Sequence, residues 1–359
     1  MFYRIARILD FLAVMLLVLF AVSGDVPRFT GQTDRVRLYT REIEFDYPNW
    51  VWNATWIKLE QNAIGLPYLF ERGANKQIVF EYLRTTQTLM ETEYSLELII
   101  ADPAVTDKET ASAQLRANRD SLLKRQELLA PLAEATLQGQ ISEALAELNL
   151  TTGGQPFPPV LYHTSPTPLA LVVSRRDVIE QIANISVLPT LSLDDQIALE
   201  NNMADSLDVS TLTVPIGGVG VYPTMVTETT DLRWLLETIA HEWTHNYLNI
   251  RPLGINYSAT PELRTMNETT ASIAGNEVGT FLIEKYYPEL LASTPHFGLV
   301  AFPQAPPTLD DQSDPPPFDF RAEMRETRVT TDELLAQGKI EEAEAYMEER
   351  RQAFWQNGY

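Results

Sequence analysis

Two histidines stand four residues apart in "ETIAHEWTHNYLNI" (237–250), and a glutamate follows the first. They are half of the four histidines in the chain. On an α-helix, residues i and i+4 lie one above the other. His241 and His245 can then reach one metal ion from a single turn. Glu242 is rotated by about 100° from His241. Its carboxylate therefore meets the first shell of that ion poorly, yet it can reach a water held beside the ion. That is where a general base belongs. Two imidazoles at this spacing with the intervening glutamate make the H-E-x-x-H pattern, whose usual metal is zinc.

A third ligand is needed, and the next helical stretch, "TMNETTASIAGNEVGTFLIEKYY", offers Glu268 and Glu277. They are nine residues apart, or about 900° of helix, so they face opposite ways. The face of Glu268 continues through Ser272, Gly275 and Gly279, small residues that let two helices approach closely. The face of Glu277 runs with Ile273, Phe281 and Glu284 and suits ordinary packing and rim. The pattern therefore selects Glu268. Two histidines, one glutamate and an open position form a catalytic zinc arrangement, whereas a structural site would close with a fourth protein ligand.

These residues must be held by two helices, and both are legible. Thr230 and Asp231 are capping candidates for a helix over 231–250. Leu232, Leu235, Leu236, Ile239 and Trp243 make its apolar stripe. A second helix is expected over about 261–287. Upstream, 160–174 reads as strand, turn, strand, 176–185 as a short helix, and 210–226 as β-rich with a glycine pause. Residues 57–100 carry helical periodicity with breaks at "GLPY" (65–68) and "RGANK" (72–76). Residues 106–149 read as a helical hairpin turning near 130–131 or at Gly139.

The predicted fold class is α+β. The expected organisation is a signal peptide or anchor (1–23) and a mostly helical region (24–150). A catalytic domain with a small sheet and two metal-bearing helices follows (155–302), then a proline-rich linker (303–320). A helix, a Gly338 turn and a second helix close the chain (321–359).

Bulk properties narrow the classes. The chain has 359 residues, 45% hydrophobic, enough for a sizeable core. Its 27 Lys+Arg against 49 Asp+Glu give a net charge of −22. Such a balance disfavours non-specific nucleic-acid binding, which needs basic surface against phosphates. There is no Cys, which removes disulfides, thiolate zinc sites and thiol nucleophiles together. Arg4 and Arg7 precede an apolar run from Phe11 to Val22, or from Ile8 with Asp10 as the one interruption, and "AVS" (21–23) is a small-residue cleavage site. The run is short of the roughly 20 residues of a comfortable span. It suits a signal peptide or a marginal anchor, with the bulk of the chain outside the cytoplasm. The aromatic-rich stretch 28–56 reads as a lead-in near the membrane surface.

"HEWTH", followed by "NETTAS" 22 residues after His245, resembles the gluzincin zinc metallopeptidases, the thermolysin-like and aminopeptidase-like group. The resemblance covers about residues 210–290. It implies a zincin-like fold, Zn2+ held by His241, His245 and Glu268, and hydrolysis of a peptide or protein substrate with Glu242 as general base. In that group an aspartate orients the first zinc histidine; here Ser272 takes its place, a hydroxyl that can accept a bond but brings no charge. Tyr257 resembles the position of a tyrosine that stabilises the oxyanion. His296, and then His163, follow as other candidates. No G-x-M-E-N motif is present, so aminopeptidase action is not implied. Gly217, Gly218 and Gly220 occupy that region instead. In zincins an upstream edge strand pairs with substrate backbone, and these glycines are assigned that role. Two other readings compete with the peptidase. One is an inactive zincin-fold binding or scaffold protein at the membrane. The other is a helical membrane-surface protein with a chance motif.

Overall fold

The computed structural model describes residues 31–63, 76–291 and 318–359. The apolar run 8–22, the expected breaks at 65–68 and 72–76, His296 and most of the proline-rich stretch lie outside them. The protein is α+β: mostly helical, with two three-stranded sheets among the described residues. In chain order the helices are α1 (Gln32–Thr40), α2 (Tyr47–Ala63), α3 (Lys76–Ala101), α4 (Lys108–Glu147) and α5 (Leu193–Leu207). They continue with α6 (Leu232–Leu248), the short α7 (Pro252–Ile255), α8 (Pro261–Tyr286), α9 (Phe320–Ala336) and α10 (Ile340–Gln356). Among the described residues no helix is long and apolar enough to cross a membrane.

One sheet has the order β3-β2-β4, all antiparallel: β2 (Leu169–Arg175) lies between β3 (Gln181–Val187) and β4 (Val209–Pro215). The other has the order β1-β6-β5. In it β1 (Tyr162–Thr164) runs parallel to β6 (Thr224–Val226), and β5 (Gly218–Val219) pairs antiparallel to β6 at the edge. Two cores result. The larger joins α3 and α4 to α6 and α8 through Tyr82, Leu137, Ile141, Leu236, Ile239, Val278 and Leu282, so residues on both sides of the 151–159 loop share it. The smaller packs α1 and α5 on the first sheet through Val36, Leu171, Val173, Ile185 and Met203.

Two segments depart from the sequence expectation. Residues 108–147 form one continuous helix with Pro131 inside it; the hairpin turn falls earlier, between α3 and α4. Proline removes one backbone donor at a cost of about 3 kcal/mol. The buried line Leu129, Ala133, Leu137, Ile141, Ala144 and Leu145 runs on both sides of it and keeps the helix packed. Residues 176–185 form a turn and a strand, not a helix. Arg175 N donates to Glu180 O (3.1 Å), and Ala183, Ile185 and Val187 are buried at every second position. The i, i+3 spacing of Val178/Ile179, Ile182 and Ile185 imitates a helix, but pairing with β2 decides the outcome. The aromatic lead-in is helical, as α1 and α2. α5 was not anticipated, although Ser192 and Asp195 form a capping box at its start. The Gly338 turn falls where expected, with φ 74°.

A buried charge cluster ties α2 to the core. The Lys58 ammonium is paired with Glu134 Oε2 of α4, and both side chains are buried. Glu134 Oε1 accepts from Thr164 N (2.8 Å) and is bonded to His163 Nδ1 (3.0 Å). His163 of β1, a spare candidate for the chemistry, is thus engaged by Glu134 of α4. Burial alone would raise the Glu134 carboxyl. The Lys58 ammonium and the His163 bond outweigh burial and hold it well below its ordinary value of 4.5. A carboxyl lowered on folding contributes stability above its unfolded pKa, and the contribution is lost as pH falls through the folded value. Glu134→Gln leaves an ammonium buried without its counter-charge and should cost about 3–5 kcal/mol near neutrality. Urea unfolding should also show the gap between variant and wild type shrinking below about pH 4.5. A constant gap from neutral to acid pH would show that this carboxylate is not its source.

Candidate metal centre

α6 begins at Asp231, whose side chain accepts from Trp234 N (3.1 Å). Leu232, Leu235, Leu236, Ile239 and Trp243 are all buried in the larger core, as the stripe predicts. Trp243 Nε1 donates to Pro158 O (2.8 Å), and Asn246 Nδ2 donates to Val221 O (2.9 Å). These contacts fix the rotation of α6 against the second sheet. The histidines then emerge on the side of α8. That helix approaches closely because Gly275 lies against it: a Cβ there would come within 2.7 Å of Glu237 O and 3.1 Å of His241 Cβ.

The resulting geometry is compact. His241 Nε2 and His245 Nε2 are 3.0 Å apart. Glu268 Oε2 lies 3.4 Å from the Nε2 of His245 and 3.6 Å from that of His241. Metal–ligand bonds of 2.0–2.2 Å at tetrahedral angles place ligand atoms about 3.3 Å apart. All three edges of the triangle lie near that value, and two nitrogens with one carboxylate oxygen are a zinc donor set. A Zn2+ ion fits the residues present. Glu277 is exposed and does not join the triangle. The ligand atoms of His241, Glu242 and His245 all lie within 4.8 Å of one another, so the Glu242 carboxylate borders the same space.

Neighbouring groups orient the donors. Asn267 Nδ2 donates to Leu253 O (3.3 Å), which turns its Oδ1 toward His245 Nδ1 at 2.8 Å. An amide oxygen only accepts, so Nδ1 carries the proton and the Nε2 lone pair of the neutral ring points at the triangle. Tyr257, expected as an oxyanion donor, is close to the site and gives its hydroxyl to Glu268 Oε1 (2.6 Å). It thereby holds the carboxylate whose other oxygen faces the histidines. Ser272 is half-buried one turn beyond Glu268 on α8. By sequence Ser272 is assigned to orient His241; the orienting bond seen here is a different one, between Asn267 and His245. The signal was adjacent to Glu268 in the same motif, but its direction depends on α7, which supplies Leu253.

The chain matches no family model, and no curated protein or solved structure is detectably similar to it.

Glycines bring β5 down onto the centre. A Cβ on Gly218 would lie 2.7 Å from Glu242 Cγ and 2.8 Å from its Oε1, and one on Gly220 would lie 2.9 Å from His245 Cβ. Gly217 faces Trp234 in the same way. Backbone therefore lies directly over the carboxylate, where any other residue would collide. Burial raises the Glu242 carboxyl above its ordinary value, opposed by His241 and His245 and reinforced by Glu268. For Glu268, burial raises its pKa, but bonds from His241, His245 and Tyr257 outweigh this and hold it ionised. Burial lowers His245, while Glu268 and Glu242 raise it further than burial lowers it. A positive charge is thus stabilised at the centre of the triangle, whether proton or metal.

Proposed function

We propose that this chain is a zinc-dependent peptidase of zincin-like fold, acting outside the cytoplasm and directed there by residues 1–23. The observation that carries the reading is the triangle of two Nε2 atoms and Glu268 Oε2, bordered by the Glu242 carboxylate. His241, His245 and Glu268 would hold the ion. Zn2+ would supply Lewis acidity toward a scissile carbonyl and its attacking water. Glu242, raised by burial, accepts the proton of that water and passes it to the leaving amine. Asn267 and Tyr257 keep the ligands aimed. An extended substrate backbone lies along β5, the edge of its sheet, which the glycines set close to Glu242 and His245.

A second reading, a zinc-holding scaffold without activity, is favoured by one feature. Glu242 is only 8% exposed beneath β5. The test is to measure zinc content and cleavage of a mixed peptide library by the purified protein and by His245→Ala. The peptidase reading expects zinc and hydrolysis in the wild type and loss of both in the variant. Zinc without hydrolysis across a broad library would leave the scaffold. Absence of zinc after loading would remove both.

A further inference from the structure

α2 is packed inside out. At 100° per residue, Trp52, Trp56 and Leu59 fall within about 60° of one another. Their exposures are 68%, 56% and 56%. The opposite face carries Ala54 and Lys58, both buried. The helix thus turns an ammonium inward, onto Glu134, and two indoles outward. A helix between core and water would do the reverse.

The charge distribution indicates what the outward face meets. Residues 1–63 contain seven basic and seven acidic side chains, so the whole net charge of −22 lies beyond them. The same neutral stretch holds the apolar run Ile8–Val22, which ends 25 residues before α2 begins. Indoles have an apolar body and one polar edge and favour the boundary between headgroups and acyl chains. Asn49, Asn53 and Glu60 flank the aromatic stripe on one side and can stay at headgroup level.

We propose that α2 lies flat on a lipid bilayer, with Trp52, Trp56 and Leu59 entering its interfacial zone. Trp52, Trp56 and Leu59 are uncharged, Glu60 takes the Trp56 indole N–H at their rim (2.7 Å), and the rest of the chain is acidic. Docking therefore needs no anionic lipid and is weaker on anionic than on zwitterionic vesicles. The contact is separate from any hydrolytic activity.

The full-length chain is reconstituted with phosphatidylcholine vesicles whose acyl chains carry bromine near the glycerol, and tryptophan quenching is recorded. Trp52→Phe/Trp56→Phe should remove most of the bromine-dependent quenching, because Trp50 turns to Ser165 on the other side of α2 and Trp234 and Trp243 belong to the larger core. In the wild type, Trp52 and Trp56 should lose access to an aqueous quencher when vesicles are added, and Trp52→Ser/Trp56→Ser/Leu59→Ser removes the apolar face while residues 1–30 remain intact. Equal bromine quenching with and without Trp52 and Trp56 would overturn the proposal, as would no quenching at all. A dimer in solution that dissociates in the triple serine variant would also overturn it, since the face would then belong to a second copy.

Discussion

Glu242→Gln should retain zinc and fold while peptide hydrolysis falls by on the order of 10²–10⁴, the scale for a lost general acid–base group. Glutamine keeps the shape of the side chain beneath Gly218, where space is tight. It also leaves His241, His245 and Glu268 in place, so the donor triangle survives. What disappears is the basic oxygen. Burial raises the pKa of this carboxyl, so it is a better proton acceptor than an exposed glutamate. The comparison is made on zinc-loaded protein with the metal content of both forms determined. Equal cleavage rates at equal zinc content would show that proton transfer does not pass through Glu242. Loss of zinc in the variant would show instead that the carboxylate is a ligand.

Both helices that carry the candidate ligands were legible in the sequence because local signals and core packing agree there. Asp231 caps α6, Thr260 caps α8, and each helix carries its apolar residues at the spacing its partner needs. The choice of Glu268 over Glu277 came from the small residues on one face, and Gly275 does lie against His241. What escaped depends on partners distant in sequence. Residues 181–187 are a strand because β2 has a free edge to pair with, and no local pattern announces that edge. Pro131 stays inside α4 because packing on both sides outweighs one missing bond. The bonds Asn267–His245 and Tyr257–Glu268 depend on where α7 turns the chain. The outward indoles of α2 were visible as composition, but their direction follows from the Lys58–Glu134 pair.

Removing Glu268 should empty the centre, and removing Glu277 should not. Both are glutamates of α8, nine residues apart, so the pair isolates position from chemistry. Glu268 Oε2 stands 3.4 and 3.6 Å from the two Nε2 atoms, and its Oε1 is fixed by the Tyr257 hydroxyl. Losing it takes away one of three protein donors and a negative charge that faces both rings. An orienting neighbour typically contributes 10–100-fold to metal affinity. A direct ligand should contribute more than that, so the affinity of Glu268→Ala for zinc should fall by over about 100-fold. Glu277 is exposed on the opposite side of the helix, and Glu277→Ala should bind as the wild type does. Competition against a chromophoric chelator gives the affinities, and circular dichroism confirms that α8 is retained in both variants. If Glu277→Ala released the metal while Glu268→Ala held it, the register of α8 against α6 would be wrong. The face built from Ser272, Gly275 and Gly279 would then be an ordinary helix contact.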